Sequence, residues 1–169
     1  MVDGWLLSGD VGIIMPNGSV KVIDRAKNIF KLAQGEYIAP EKLENVYTQS
    51  PYVQMIHVHG DSLQSFLVAI IVPDFEVLRN WYSSQEPDRQ EPPTDEEICQ
   101  DPRVQKLCLD SMNELATQNK FNGLERVKKV YLHPEPFSEK NDLLTPSQKL
   151  KRNVSAQRFR QQIDEMYRS

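Results

Sequence analysis

The sequence predicts an α+β fold: a small three-stranded sheet with helices on both sides, preceded by a β-hairpin. Three observations lead there. Asn17-Gly18 sits between two apolar stretches, a strong hairpin signal of type I′. Three further stretches have strand length and strand composition: Val53 to His59, Phe66 to Val72 and Val127 to Leu132. Between and after them run segments whose apolar residues recur at helical spacing and which open on capping residues. Helices distributed around a short sheet make an α+β domain.

The first strand pair ends where Val20, Val22 and Ile23 give way to Asp24-Arg25. A charged spacer, Ala26-Lys27-Asn28, leads to an extended piece, Ile29-Phe30-Lys31, and a turn centred on Gly35. Pro40 then occupies the first position of a helix with Leu43, Val46 and Tyr47 on one face, stopped at Ser50-Pro51. In the strand Val53 to His59, Met55, His57 and His59 share one face, and Gln54, Ile56 and Val58 the other. The run Phe66 to Val72 is continuously apolar, as in a strand covered on both faces.

Pro73-Asp74 caps a helix carrying Val77, Leu78 and Trp81. Gln85 to Pro93, with three prolines and several charges, reads as a mobile surface loop. Thr94-x-x-Glu97 is a capping box, and Asp101-Pro102 opens the longest helix, with Val104, Leu107, Cys108, Met112 and Leu115 as its inner stripe. Asn122-Gly123 ends it. Pro134 to Pro146 is irregular, and a last helix from about Val154 should bury Ala156, Phe159, Ile163 and Tyr167.

With 169 residues, 39% hydrophobic and 26% charged, the chain has the composition of one globular domain, with room for the tail of a neighbour. A net charge of −4 argues against a nucleic-acid partner. Cys99 and Cys108 form no CxxC pair and read as two free thiols of an intracellular protein. The His-x-His pair at 57 and 59 has no third ligand at suitable spacing, so no metal site is expected and the histidines read as structural. Two N-glycosylation sequons, at Asn17 and Asn153, are incidental under the same reading.

By pattern alone, Asp24 to Glu44 is a hairpin with a solvated turn. Its wording is more specific. Asp24-Arg25-x-Lys27-x-x-x-Lys31, a Gly turn and Ile38-x-Pro40-x-x-x-Glu44 resemble the joint motif of the acyl-adenylate-forming enzymes. Trp5-Leu6-x-Ser8-Gly9-Asp10 resembles their (T/S)GD motif, and Leu144-Thr145-Pro146-x-x-Lys149 their terminal lysine motif. KLAQGEYIAPEKLEN, HGDSLQSFLVAIIVPD and LLTPSQKLKR are most similar to the eukaryotic long-chain fatty-acyl-CoA synthetases. One departure stands out: much of the superfamily has Gly before the lysine, where this chain has Gln148.

The resemblance implies a C-terminal part of an ATP-dependent fatty-acid–CoA ligase. Residues 1–26 would be the tail of a large N-terminal domain and 27–169 a mobile C-terminal domain. The expected chemistry is activation of a fatty acid as acyl-AMP, then transfer to CoA. Lys149 corresponds to the catalytic lysine; Asp10 and Arg25 to residues that hold the ribose; Lys27 to the hinge. Lys31, Gly35, Glu36 and Tyr37 form the loop that would meet AMP or the pantetheine during thioester formation. The phosphate loop, the Mg²⁺ ligands and the acyl tunnel would lie upstream of Met1, so the chain is expected to be inactive alone. The full-length enzyme would associate peripherally with a membrane, such as the endoplasmic reticulum, the mitochondrial outer membrane or that of another organelle. Two other readings stay open: a different acyl-adenylate former, or a non-catalytic interaction domain of the same fold. A degenerate copy would be free to lose Asp10, Arg25, Lys27 and Lys149, and this chain keeps all four.

Overall fold

In the computed structural model, Gly4 and residues 7–168 are described; Trp5 and Leu6 of the first motif lie outside them. The chain opens with an antiparallel pair, β1 (Asp10–Ile14) and β2 (Val20–Arg25). Its turn is not type I′. Gly18 alone of its residues has positive φ, at 81°, and Gly18 N donates to Met15 O at 2.9 Å while Met15 N donates to Ser19 O at 2.8 Å. This is a three-residue loop with glycine in the left-handed position. Pro16, with φ fixed near −65°, suits the second position of a type I turn and so sets the longer loop.

A two-residue pair follows, β3 (Phe30–Lys31) and β4 (Tyr37–Ile38), and then α1 (Pro40–Tyr47). The helix ends at Tyr47, three residues ahead of Ser50-Pro51. The central sheet has the order β5 (Val53–His59), β6 (Leu67–Pro73), β7 (Val127–Leu132); β5–β6 is antiparallel and β6–β7 parallel. Every residue of β6 is buried, as its unbroken apolar run requires.

Between β6 and β7 come α2 (Phe75–Gln85), α3 (Asp95–Gln100) and α4 (Pro102–Gln118). Asp74 caps α2 by accepting from Val77 N, and the Thr94/Glu97 capping box opens α3 as its sequence indicates. In α4 the buried stripe is Val104, Cys108, Met112 and Ala116, with Leu107 and Leu115 only half-buried. On α2, Tyr82 rather than Trp81 is buried, and its hydroxyl donates to Asp101 Oδ2 at 2.5 Å. The proline-bearing stretch Gln85 to Pro93 is tied down, contrary to expectation. Arg89 donates to Glu91 O at 2.8 Å and to Glu97 at 2.9 Å, and its guanidinium lies 5.9 Å from the Tyr82 ring.

The C-terminal helix is two helices, α5 (Arg152–Arg158) and α6 (Arg160–Arg168), broken at Phe159. The buried positions are Ser155, Phe159, Ile163 and Met166, while Ala156 and Tyr167 are half-buried. Tyr167 instead donates its hydroxyl to the carbonyls of Phe66 and His59, at 3.1 and 3.3 Å.

Apolar side chains pack on both faces of the sheet. Ile56, Val58, Ala69 and Ile71 meet α1, α3 and α4 on one side; Val68, Ile70 and Val72 meet Phe137, Leu143, Phe159 and Ile163 on the other. Cys99 and Cys108 are free and buried within the first cluster. The β1–β2 pair is different: Ile14, Val20 and Val22 are exposed.

Candidate functional site

The segment after β2 is a compact joint. Asn28 N donates to Arg25 O at 2.9 Å, and Ala26 N reaches back to Gly9 O at 2.9 Å. Asp24, only 2% exposed, organises it. One carboxylate oxygen accepts from Arg25 N at 2.6 Å and from Asn28 Nδ2 at 3.1 Å; the other accepts from Glu41 N, in the first turn of α1, at 3.0 Å. Because Pro40 has no N–H and Ala39 offers no capping side chain, this distant carboxylate satisfies a donor that the local sequence leaves open.

Asp10 and Arg25 are register partners across β1–β2, and Arg25 Nε lies 2.9 Å from Asp10 Oδ1. Lys27, at the crest of the joint, is exposed.

The second wall is the turn that carries Lys149. Leu144 and Leu150 form an isolated antiparallel bridge. Thr145 N donates to Lys149 O at 2.8 Å, Gln148 N to Thr145 O at 2.8 Å, and Lys149 N to Thr145 Oγ1 at 3.0 Å. Gln148 has φ +59°, the left-handed region that glycine enters most easily. The departure from the superfamily's glycine is thus a side chain in a glycine conformation, with its amide donating to Glu139 at 2.9 Å. The Lys149 side chain is exposed, and among the described residues its ammonium forms no ion pair.

These walls face each other across a cleft of about 790 Å³ between the joint, α1, the end of β5 and the start of α5. Arg25, Lys27 and Lys149 line it, together with Lys151 and Arg152. Of these five cations Arg25 is paired with Asp10, Lys151 with Asp142 and Arg152 with Glu44, while Lys27 and Lys149, for which no ion pair is found among the described residues, give the cleft positive charge for an anionic ligand. The cleft does not include Lys31, Gly35, Glu36 or Tyr37. Those four lie at the β3–β4 turn, where Gly35 has φ +90° and Lys31 Nζ sits 5.5 Å from the centre of the Tyr37 ring. That turn is held by Leu32 N to Glu36 O, 2.9 Å, and by Ala33 N to Gln64 O, 3.0 Å.

Sequence reading missed what holds the floor of the cleft. Arg152 makes a two-pronged ion pair with Glu44: Nη1 donates to Oε1 at 2.8 Å and Nη2 to Oε2. Glu44 Oε1 also accepts from Val58 N at 2.8 Å. The side chains are 12% and 16% exposed, so the pair is largely out of water. Burial raises the Glu44 carboxyl, while the Arg152 guanidinium draws it back. For Arg152 burial acts downward, but the bond to Glu44 prevails and holds it above its ordinary value. Nearby, His57 Nδ1 and Ser155 Oγ are 2.6 Å apart, both fully enclosed. Burial drives the His57 pKa well below its usual value, so the ring is neutral. No local pattern flags a pairing across such a separation; the serine in a helical stripe was the one available hint.

Comparison with known proteins accords with this geometry. No protein-family model matches the chain. Over its whole length it superimposes on the adenylation domain of a carboxylate reductase from Mycobacterium chelonae, with a TM-score of 0.83, 30% identity and 24% of that chain covered. The A domain of a carboxylic acid reductase from Segniliparus rugosus, solved with AMP and a co-purified carboxylic acid, gives a TM-score of 0.80 at 28% identity, 99% of this chain and 24% of that one being covered. The fold is that of the C-terminal part of adenylate-forming domains. In sequence the chain is a relative of the long-chain-fatty-acid–CoA ligases and matches their C-terminal portion. It is 50% identical over 165 residues to human long-chain-fatty-acid–CoA ligase 1, covering 98% of this chain and 23% of that protein. The chain therefore spans about a quarter of the length of the curated relatives it matches.

Proposed function

We propose that this chain is the C-terminal portion of an ATP-dependent, AMP-forming fatty-acid–CoA ligase, with residues 1–26 the tail of a larger preceding domain and 27–169 a mobile C-terminal domain. The observation that carries the reading is the cleft, where Arg25, Lys27 and Lys149, from opposite ends of the sequence, face one another. The exposed apolar residues Ile14, Val20 and Val22 support the division, since such a surface is what a second domain would cover. No helix among the described residues is long and apolar enough to cross a membrane.

In the first half-reaction a fatty-acid carboxylate oxygen bonds to the α-phosphorus of ATP and pyrophosphate leaves, with Mg²⁺ bound by residues elsewhere in the polypeptide. Lys149, exposed in the cleft, supplies positive charge to the developing negative charge on the phosphate. Asp10 accepts from the ribose hydroxyls and Arg25 donates to them. In the second half-reaction the CoA thiol loses its proton, its sulfur bonds to the acyl carbon, and AMP departs. Lys27 is then the pivot that turns the domain so the Lys31–Tyr37 turn replaces Lys149 at the site.

Lys149→Ala in the full-length polypeptide tests this. ATP–pyrophosphate exchange driven by a long-chain fatty acid should fall by roughly 10²–10³, about 3–4 kcal/mol of barrier. Transfer of pre-made acyl-adenylate to CoA should stay near the wild-type rate. Exchange left intact would return Lys149 to the solvated surface and favour an interaction domain. Exchange with another class of acid but not with fatty acids would replace the substrate.

A further inference from the structure

The turn that presents Lys149 is short, exposed and strained at Gln148, yet an electrostatic catalyst must be held to within a fraction of an ångström. The upstream leg of the turn is anchored by Leu143 and Leu144, which are buried. The downstream leg runs straight into α5, and there the usual fastening is missing: among the described residues no side chain caps that helix. What fixes it is Arg152, the first residue of α5, clamped in two places to Glu44, whose Oε1 is fixed in turn by Val58 N. Glu44 is thus joined at once to α1, to the backbone of β5 and to the leg that carries Lys149.

We infer that Glu44 is a positioning residue for Lys149, acting through Arg152. The inference rests on the ligase reading above and adds a partner to it. A guanidinium–carboxylate fork resists rotation as well as separation, so the pair fixes the direction in which α5 leaves the turn. Arg152 also lies in the field of Asp24 and Glu41, the carboxylate that organises the joint and the residue whose N–H it holds. The two walls of the cleft are therefore referenced to the same helix, α1. Ser155 against His57, one turn further along α5, supplies a second fixed point for the helix.

The experiment separates positioning from mere stability. In the full-length polypeptide, Glu44→Gln should lower kcat for ATP–pyrophosphate exchange by about tenfold to a hundredfold, the cost of a misplaced catalytic group. KM for ATP and transfer of pre-made acyl-adenylate to CoA should stay near wild type. The single variant leaves Arg152 buried without its counter-charge, so its melting temperature should fall as well. The double variant Glu44→Gln with Arg152→Gln removes both charges and should recover much of that loss while exchange stays slow. Recovery of both rate and stability in the double variant would show a purely structural ion pair and overturn the inference, as would an unchanged rate in Glu44→Gln. If neither variant folds, Glu44→Asp keeps the charge but withdraws it by one methylene, and the same pattern of rates decides. A wild-type polypeptide that carries out no exchange would defeat the ligase reading itself, and this inference with it, a result distinct from active wild type with unaffected variants.

Discussion

Gly60 gives the most direct test of how the Lys31–Tyr37 turn is attached to the core. Its φ is not in the left-handed region, so on backbone grounds alanine is allowed there and should stabilise by about 0.4–1 kcal/mol through the unfolded chain. Space decides otherwise. A Cβ at residue 60 would stand 2.7 Å from Phe30 Cε2, 2.8 Å from Leu67 Cδ2 and 3.1 Å from Leu32 Cδ2. Phe30 is half-buried and can move, but Leu67 and Leu32 are 0% and 1% exposed and closely packed. Overpacking of this kind costs typically 1–3 kcal/mol, which outweighs the entropic gain. Gly60→Ala should therefore lower stability by about 1–2 kcal/mol in urea unfolding, with the slope unchanged. Because Phe30 and Leu32 flank Lys31, the displacement should also reduce amide protection of Leu32 and Ala33 while leaving that of Ile70 and Ile71 intact. Equal or greater stability in the alanine variant would refute the argument, since it would mean that the strand and the turn do not approach as described.

Asp24→Ala should destabilise by roughly 2–3 kcal/mol in the same assay, because it leaves Glu41 N and the joint turn without their shared acceptor; a loss under about 0.5 kcal/mol would show that water replaces it. Gln148→Gly should change stability by less than about 0.5 kcal/mol, since relief at φ +59° offsets the greater freedom of glycine in the unfolded chain, whereas Gln148→Val should cost about 1–2 kcal/mol. Acid should weaken the fold early. Burial lowers the pKa of His57, His59 and His133, so below about pH 6.5 the unfolded chain takes up protons that the folded one refuses. Each such group gives a slope of up to about 1.4 kcal/mol per pH unit, and its contribution, complete above pH 6.5, is lost as pH falls. Asp101, held at about 2 by its hydrogen bond from Arg103, does not enter until lower pH, so urea midpoints that stay level from pH 8 to 5 would contradict the histidine account.

The elements read most easily were those whose signals are local. The capping box at Thr94, the proline starts of α1 and α4, and the continuous run of β6 each contain within a few residues the reason for their structure. Two of the misreadings come from contacts made outside the misread segment. A helical stripe drawn through Ala156 and Tyr167 runs one position off the buried one at each end, because the side chains that cover this face, such as Phe137 and His133 against the Phe159 ring, come from elsewhere in the chain. Prolines and charges between Gln85 and Pro93 suggest mobility until Arg89 is seen to face Glu97 and the Tyr82 ring.

The cleft divides in the same way. Arg25, Lys27 and Lys149 were legible because their motifs are worded residue by residue, whereas Arg152 was visible only as one more cation in a basic stretch. Its pairing with Glu44 differs in kind from the surface pairs, because both groups have left water, and burial is not written in local composition. A charge that stays exposed, such as that of Lys149, is available to a ligand; one that is buried must be matched within the protein. Asp24, Glu44 and Arg152 are matched in this way, so the cleft has a fixed frame of internal charges from which its free cations project.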